Sequence, residues 1–243
     1  ATMMGSTLKG KDDSITVKIN GGGPCGTVLA VSDSDGNVRG CIGKADISLP
    51  LNKKGKLDVA GAVGKNGFVT VIKDLGLKEP YIGKTPIVSG EIAEDITSYY
   101  AVSEQIPTVC ALGVLTEHDS GEIICAGGFM IQLLPTADDT IIERVEESIK
   151  DLPPVTKMLP DGMTPEEICK KALSKFNLQL LDETNTAYRC TCSRERVEKA
   201  LIATGKSGLS EMAEDETTEV VCNFCHKKYH FSKEEIQKML KRV

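Results

Sequence analysis

Between residues 14 and 134 the apolar positions alternate with polar ones or run in short blocks bounded by Gly and Asp, which is the pattern of β-strands. Ile15, Val17 and Ile19 alternate with polar neighbours, Gly21-Gly22-Gly23-Pro24 breaks that strand, and Thr27 to Val31 resumes it. A second break, Asp33-Ser34-Asp35-Gly36-Asn37, leads into Val38 to Ile42. Its acids resemble the opening of a calcium loop, but Gly36 comes too early and Lys44 stands where the bidentate acid belongs, so the stretch predicts a hairpin turn. Gly61, Gly64 and Gly67 precede a strand over Phe68 to Ile72 and match neither a dinucleotide fingerprint nor a phosphate loop, so they read as packing and turn glycines. Ser89 is the predicted cap of a helix through Ile92, Ile96 and Tyr99 or Tyr100, with Glu91, Glu94 and Asp95 early, where the helix dipole favours acids. Pro107 ends that segment. Thr108 to Leu115 and Glu122 to Leu134 then read as two apolar strands joined by His118-Asp119-Ser120-Gly121, with His118 a solvated loop residue.

From Asp138 the period becomes helical. Ile141, Ile142, Val145 and Ile149 share one face, and Pro153-Pro154 should stop that helix near Leu152. Thr164-Pro165-Glu166-Glu167 combines an N-cap, a first-turn proline and a capping-box acid, opening a second helix with Ile168, Cys169, Ala172, Leu173 and Phe176 on its apolar face. Residues 151–189 therefore read as a linker of amphipathic helical pieces, too short to be stable alone and obliged to dock on something. Ser193 should cap a helix through Val197, Ala200 and Leu201 that ends at Gly205. Thr217 to Val221 and Lys228 to Phe231 suggest a hairpin, and Ser232 with Glu235 a capping box for a last helix with Ile236, Met239 and Leu240 facing inward.

The pattern predicts an α+β chain in three parts: an N-terminal mixed β-sheet domain with packed helices over 1–150, the helical linker over 151–189, and a small C-terminal domain over 190–243. At 243 residues with 40% apolar content the chain can build a real core. Its longest nearly apolar run, Ile123 to Leu134, is too short to span a bilayer, which needs about 20 residues. The start, Ala1-Thr2-Met3-Met4-Gly5, has no secretory pattern, and the expected setting is the reducing cytoplasm. The formal charge is −6, whereas residues 190–243 hold 10 basic and 9 acidic residues. That near-neutral balance argues against a nucleic-acid partner, whose phosphates call for a basic face.

Nine cysteines in a reducing compartment require a reason. Cys25, Cys41, Cys110 and Cys125 fall in or beside apolar strands, where a thiol behaves as a small hydrophobe. Cys190-Thr191-Cys192, a gap of 29 residues and Cys222-Asn223-Phe224-Cys225 supply two close pairs, as a tetrahedral zinc site requires. A 54-residue module with few large apolar groups needs such a staple. The one-residue spacer of the first pair is unusual for a purely structural site and points to redox chemistry. Arg189, Arg194, Arg196, Lys227 and Lys228 should favour the thiolate form, and His226 and His230 are possible substitute ligands. No constellation for nucleophilic catalysis is visible, so the chain is not expected to be an enzyme. Two other readings remain at this point: a static zinc-ribbon adaptor for protein or nucleic acid, and a thiol-disulfide oxidoreductase, whose Cys-x-x-Cys should open a helix and here lies in a predicted hairpin.

These cysteines, with Cys192-Ser193-Arg194-Glu195-Arg196, resemble the heat shock protein 33 family of redox-regulated chaperones. Gly21-Gly22-Gly23-Pro24, Val88-Ser89-Gly90-Glu91-Ile92-Ala93-Glu94-Asp95 and Ala126-Gly127-Gly128-Phe129-Met130-Ile131-Gln132-Leu133-Leu134-Pro135 extend the resemblance over essentially the whole chain. It implies an ATP-independent holdase, inactive while reduced and zinc-bound. It implies further that oxidation releases the zinc, unfolds the C-terminal domain and linker, and allows homodimers that hold unfolding client proteins. It implies one zinc on Cys190, Cys192, Cys222 and Cys225, with disulfides joining Cys190 to Cys192 and Cys222 to Cys225. The family's N-terminal strand and helix precede the stretch matching Met3 to Gly10, so the resemblance also implies that the chain opens inside that helix.

Overall fold

A computed structural model gives the fold and describes residues 1–117 and 120–243; the reading of His118 lies outside the described residues. In chain order the elements are α1 (Thr2–Gly5), β1 (Ser14–Asn20), β2 (Val28–Asp33), β3 (Asn37–Ile42), α2 (Val59–Val63), β4 (Phe68–Asp74), β5 (Tyr81–Pro86) and α3 (Ile92–Tyr99), which a π-turn over Tyr100–Glu104 continues. There follow β6 (Thr108–Thr116), β7 (Ile123–Gln132), α4 (Asp139–Lys150), α5 (Val155–Met158), α6 (Pro165–Ala172), β8 (Ala187–Tyr188), α7 (Arg194–Ala203), α8 (Gly205–Met212), β9 (Thr217–Val221), β10 (Lys228–Ser232) and α9 (Lys233–Leu240). The chain divides into two compact units, Ala1–Val38 with Ile42–Ala187, and Arg39–Cys41 with Tyr188–Val243. No helix among the described residues is long and apolar enough to cross a membrane.

In the first unit β1 is central, and its alternation does what the sequence pattern requires. Ile15, Val17 and Ile19 are buried, and Val69 and Val71 of β4 stand opposite Ile19 and Val17 in the ladder. The sheet's strands run in the order β5-β4-β1-β2. The ladders β5–β4, β4–β1 and β1–β2 are antiparallel. The reason is connection length: the segments joining β1 to β2 and β4 to β5 are shorter than the dozen or more residues a parallel crossover needs. The 33–37 turn is a hairpin turn built on Asp33, whose Oδ1 accepts the N–H groups of Asp35 (3.0 Å) and Asn37 (2.9 Å). A Cβ at Gly67 would overlap the Asn20 carbonyl and one at Gly21 the Gly64 carbonyl, so these glycines let the backbones around α2 close on one another.

Helix α3 covers the sheet with Ile96 and Tyr99. Ser89 is not its cap. Glu91 occupies that position, and the Ser89 hydroxyl accepts only the Glu91 N–H at 3.1 Å, because Ser89 lies two residues too early to reach the first helical turn. Asp95 supplies the anchor instead. Its carboxylate, fully buried, accepts the N–H groups of Val88 (2.8 Å), Ser89 (3.1 Å) and Gly90 (3.0 Å), satisfying three donors that would otherwise be stranded.

The β6–β7 hairpin forms a second sheet, and the amphipathic pieces that follow it pack on it. Val155 and Met158 of α5 and Ile168 and Ala172 of α6 close over Phe129, with Val109, Ala111 and Ile131 at the margin. The capping box of α6 is complete: Thr164 Oγ1 accepts the Glu167 N–H, and Glu167 Oε2 accepts the Thr164 N–H at 2.8 Å. The predicted helix after Asp138 is present with Asp138 as its cap, and it stops at Lys150. Cys25 is buried, and burial pushes its thiol and that of the half-buried Cys110 above the ordinary range, as expected for inert core cysteines.

Candidate metal centre

In the second unit, hairpin β9–β10 pairs Val221 with Lys228 and Val220 with Tyr229, and the Cys222–Cys225 knuckle is its turn. The turn closes through two backbone bonds, Cys222 N–H to the Lys227 carbonyl (3.0 Å) and His226 N–H to the Cys222 carbonyl (2.8 Å). His226 takes a left-handed backbone, φ 59°, to achieve this. Cys190 and Cys192 precede α7, whose N-cap Ser193 accepts the Arg196 N–H at 3.3 Å. The Arg196 guanidinium returns to the Thr191 carbonyl (3.2 Å) and hydroxyl (2.6 Å), fixing the residue between the two cysteines. The capping box of α9 is also complete on Ser232 and Glu235. Leu201, Leu209, Tyr229, Phe231, Ile236 and Met239 form the small core that holds these pieces.

These local structures bring the sulfurs of Cys190, Cys192, Cys222 and Cys225 within 4.8 Å of one another. The Cys190–Cys222 sulfurs are 3.7 Å apart and the Cys192–Cys225 sulfurs 3.4 Å, and all nine cysteines are free thiols. A zinc ion bound by four thiolates at about 2.3 Å puts tetrahedral edges near 3.8 Å, so the separations and the donor set suit such an ion. No other group of metal-ligating side chains of this size occurs among the described residues. His226 serves the turn through its backbone, and His230 Nε2 lies 3.6 Å from Glu219, so neither joins the sulfurs.

The four thiols differ electrostatically. Cys192 is lowered to about 7, chiefly because the Tyr229 hydroxyl donates to its sulfur at 3.1 Å, with the neighbouring thiols adding to the effect. Cys190 is pushed up to about 12 by burial first and by sharing its proton with the other sulfurs. Four crowded sulfurs resist ionising together; a divalent cation would replace their protons and let all four ionise.

Three of the five cations expected to stabilise the thiolates are engaged elsewhere. Arg194 is engaged with Glu235 (2.7 Å) and the His230 carbonyl (2.9 Å), Arg196 with Thr191, and Lys228 with Glu219 (3.0 Å). The side chain acting on the sulfurs is Tyr229, which sequence reasoning passed over. Its signal was the period-2 pattern of β10, in which Tyr229 and Phe231 alternate with exposed Lys228 and His230 and therefore face the cysteines and the core. Tyr188 was also missed: its phenol oxygen lies 2.6 Å from the Phe224 carbonyl in the middle of the knuckle.

Comparison with known proteins gives a consistent result. The family model described as Hsp33 protein matches residues 1–232. A 33 kDa chaperonin of Clostridioides difficile is 49% identical over 243 residues, covering 100% of this chain and 83% of that protein. One from Enterococcus faecalis is 46% identical over 237 residues, covering 97% and 79%. The crystal structure of a 33 kDa chaperonin, heat shock protein 33 homolog, from Thermotoga maritima superposes with a TM-score of 0.87 at 38% identity, covering 100% of this chain and 82% of that one.

Proposed function

The chain belongs to the Hsp33 protein family, and from that premise we propose that it is a redox-regulated, ATP-independent holdase that binds unfolding proteins under oxidative stress. The observation carrying this is the gathering of four free thiols within 4.8 Å in a unit with a six-residue buried core. Cys190, Cys192, Cys222 and Cys225 are the proposed ligands of one zinc ion, which when bound keeps all four sulfurs ionised and closes the small unit around them. We assign residues 1–150 to the client-holding core, 151–189 to the linker and 190–243 to the switch.

The switch works on the thiolates. With hydrogen peroxide as oxidant, a cysteine sulfur attacks one peroxide oxygen, the O–O bond breaks, hydroxide leaves and a sulfenic acid remains. A neighbouring thiolate then attacks that sulfur, the S–O bond breaks, a second hydroxide leaves and a disulfide forms. All pairs are close in the folded cluster, so proximity there does not choose partners. The family resemblance implies that the disulfides then join Cys190 to Cys192 and Cys222 to Cys225, the partners nearest in sequence. Each disulfide removes two metal ligands, and the unit loses its staple.

The linker supplies the output. Val155, Met158, Ile168 and Ala172 are buried against the β6–β7 hairpin, and undocking bares apolar surface on both partners, the kind of surface that holds an unfolding client or a second oxidised copy of the chain. The reaction consumes no client, and the chain is a binding protein in the cytoplasm, not an enzyme. The static zinc-ribbon adaptor fits less well, because residues 190–243 are near neutral, with 10 basic and 9 acidic residues.

The deciding experiment treats the reduced, zinc-loaded chain with peroxide at raised temperature, following freed zinc with a chromogenic chelator and the aggregation of a heat-labile protein. Zinc release and protection should rise together and both reverse with dithiol plus zinc; zinc that stays bound, or leaves without protection, defeats the switch. A variant separates linker from metal. Ile168→Glu places a charge at a site only 3% exposed and should undock α6, giving protection in the reduced chain with its zinc content unchanged. If the reduced variant protects no better than the parent, the linker is not the gate.

A further inference from the structure

One side chain touching the sulfur cluster has no part in holding a metal. The Tyr229 hydroxyl lies 3.1 Å from Cys192 Sγ, and among the described residues that is its only hydrogen bond. The ring cannot swing away. It is 6% exposed, packs in the small core with Leu201 and Phe231, and its backbone is paired with Val220 in the hairpin ladder. The ammonium group of Lys227 lies over the ring, 5.3 Å from its centroid. No other side-chain oxygen or nitrogen among the described residues donates to any of the four sulfurs.

We infer that Tyr229 is a positioning residue of the switch: by donating its O–H to Cys192 it engages a sulfur lone pair and makes Cys192 the slowest of the four thiolates to react with an electrophile. The inference rests on the reading of the cluster as a metal-held redox switch and adds an order of events to it. A sulfur whose electron density is drawn into a hydrogen bond attacks peroxide more slowly. Oxidation therefore starts on Cys190 or on the knuckle, and Cys192 is left as a thiolate able to attack a sulfenic acid formed next to it. The phenol sets a threshold, since the cluster does not open by way of the sulfur that the Tyr229 hydroxyl engages. Outer-shell partners of this kind commonly change the behaviour of a metal ligand 10–100-fold when removed.

The test is a residue-resolved alkylation of the zinc-loaded full chain with limiting iodoacetamide. In that reaction each thiolate displaces iodide from the reagent's methylene carbon, and peptide mass spectrometry yields four separate rates. In the unaltered chain Cys192 should be slowest, a ranking that needs no variant and whose absence overturns the inference. In Tyr229→Phe the Cys192 rate should rise about tenfold while Cys190, Cys222 and Cys225 keep theirs. An unchanged Cys192 rate, or an equal rise at all four sites, as a merely loosened fold would give, also overturns it. Zinc content measured on the same samples keeps the two readings apart. If the chain takes up no zinc, the metal assignment itself fails; if zinc is bound and the Cys192 rate stays flat, only the role of Tyr229 fails.

Discussion

Replacing Cys222 with Ser should unfold the C-terminal unit while leaving the N-terminal one folded. The unit built mainly from Tyr188–Val243 buries only Leu201, Leu209, Tyr229, Phe231, Ile236 and Met239 as its core. An assembly of that size rarely supplies more than about 3–5 kcal/mol by hydrophobic burial. A bound structural zinc contributes about 10–16 kcal/mol of folding free energy, so the margin depends on the metal. Serine keeps the shape and loses the soft anionic donor, leaving three sulfurs. The expected result is loss of bound zinc, loss of the helical signal of α7 to α9, and collapse of amide protection across β9 and β10, with β1 and β4 still protected. Chelation of the unaltered chain should give the same pattern reversibly. Full protection of β9 and β10 without zinc would show that the small core suffices and would remove the basis of the switch.

Asp95→Ala should be the most damaging single change in the N-terminal unit, costing about 3–5 kcal/mol, in line with the loss of one partner from a buried charged network. The carboxylate is inaccessible and accepts from the consecutive amides of Val88, Ser89 and Gly90. Removing it takes the acceptor from all three amides, of which the Gly90 N–H is buried. Each such group carries a desolvation penalty of about 1–3 kcal/mol. Asp95→Asn should recover part of the loss, because one oxygen still accepts while the new NH2 group faces other donors. For a unit of this length the alanine variant should melt about 10 °C lower, which differential scanning calorimetry would read directly. Zinc binding, in the other unit, should be unaffected. A shift of only a degree or two would mean that the 88–90 loop finds other acceptors.

Apart from the cap expected at Ser89, what is encoded over a few residues was legible in the chain itself. The capping boxes Thr164/Glu167 and Ser232/Glu235, the Ser193 cap, the Asp33–Asn37 hairpin turn and the alternation of Ile15, Val17 and Ile19 are all present as read, because a cap or a pleat depends on neighbours one to four positions away. The spacing of the four cysteines belongs to the same class, since metal-ligand pairs are short-range motifs. What the sequence left open depends on contacts far along the chain. Strand β5 contains Gly83 and Pro86 and has little strand character of its own, and pairing with β4 makes it one. Helix α5 follows two prolines and exists because Val155 and Met158 find the β6–β7 hairpin, and α8, with Gly205 and Gly208, exists because Leu209 is buried in the C-terminal core. Asp95 looked like a helix-dipole acid until the fold turned three amides toward it, and Tyr229 looked like a core aromatic until the hairpin set its oxygen against Cys192. Sequence thus determined which groups the chain carries and the local elements they favour. Only the tertiary structure decided which of them meet, because a hydrogen bond between residues 37 positions apart forms only after packing has met the entropy of bringing them together.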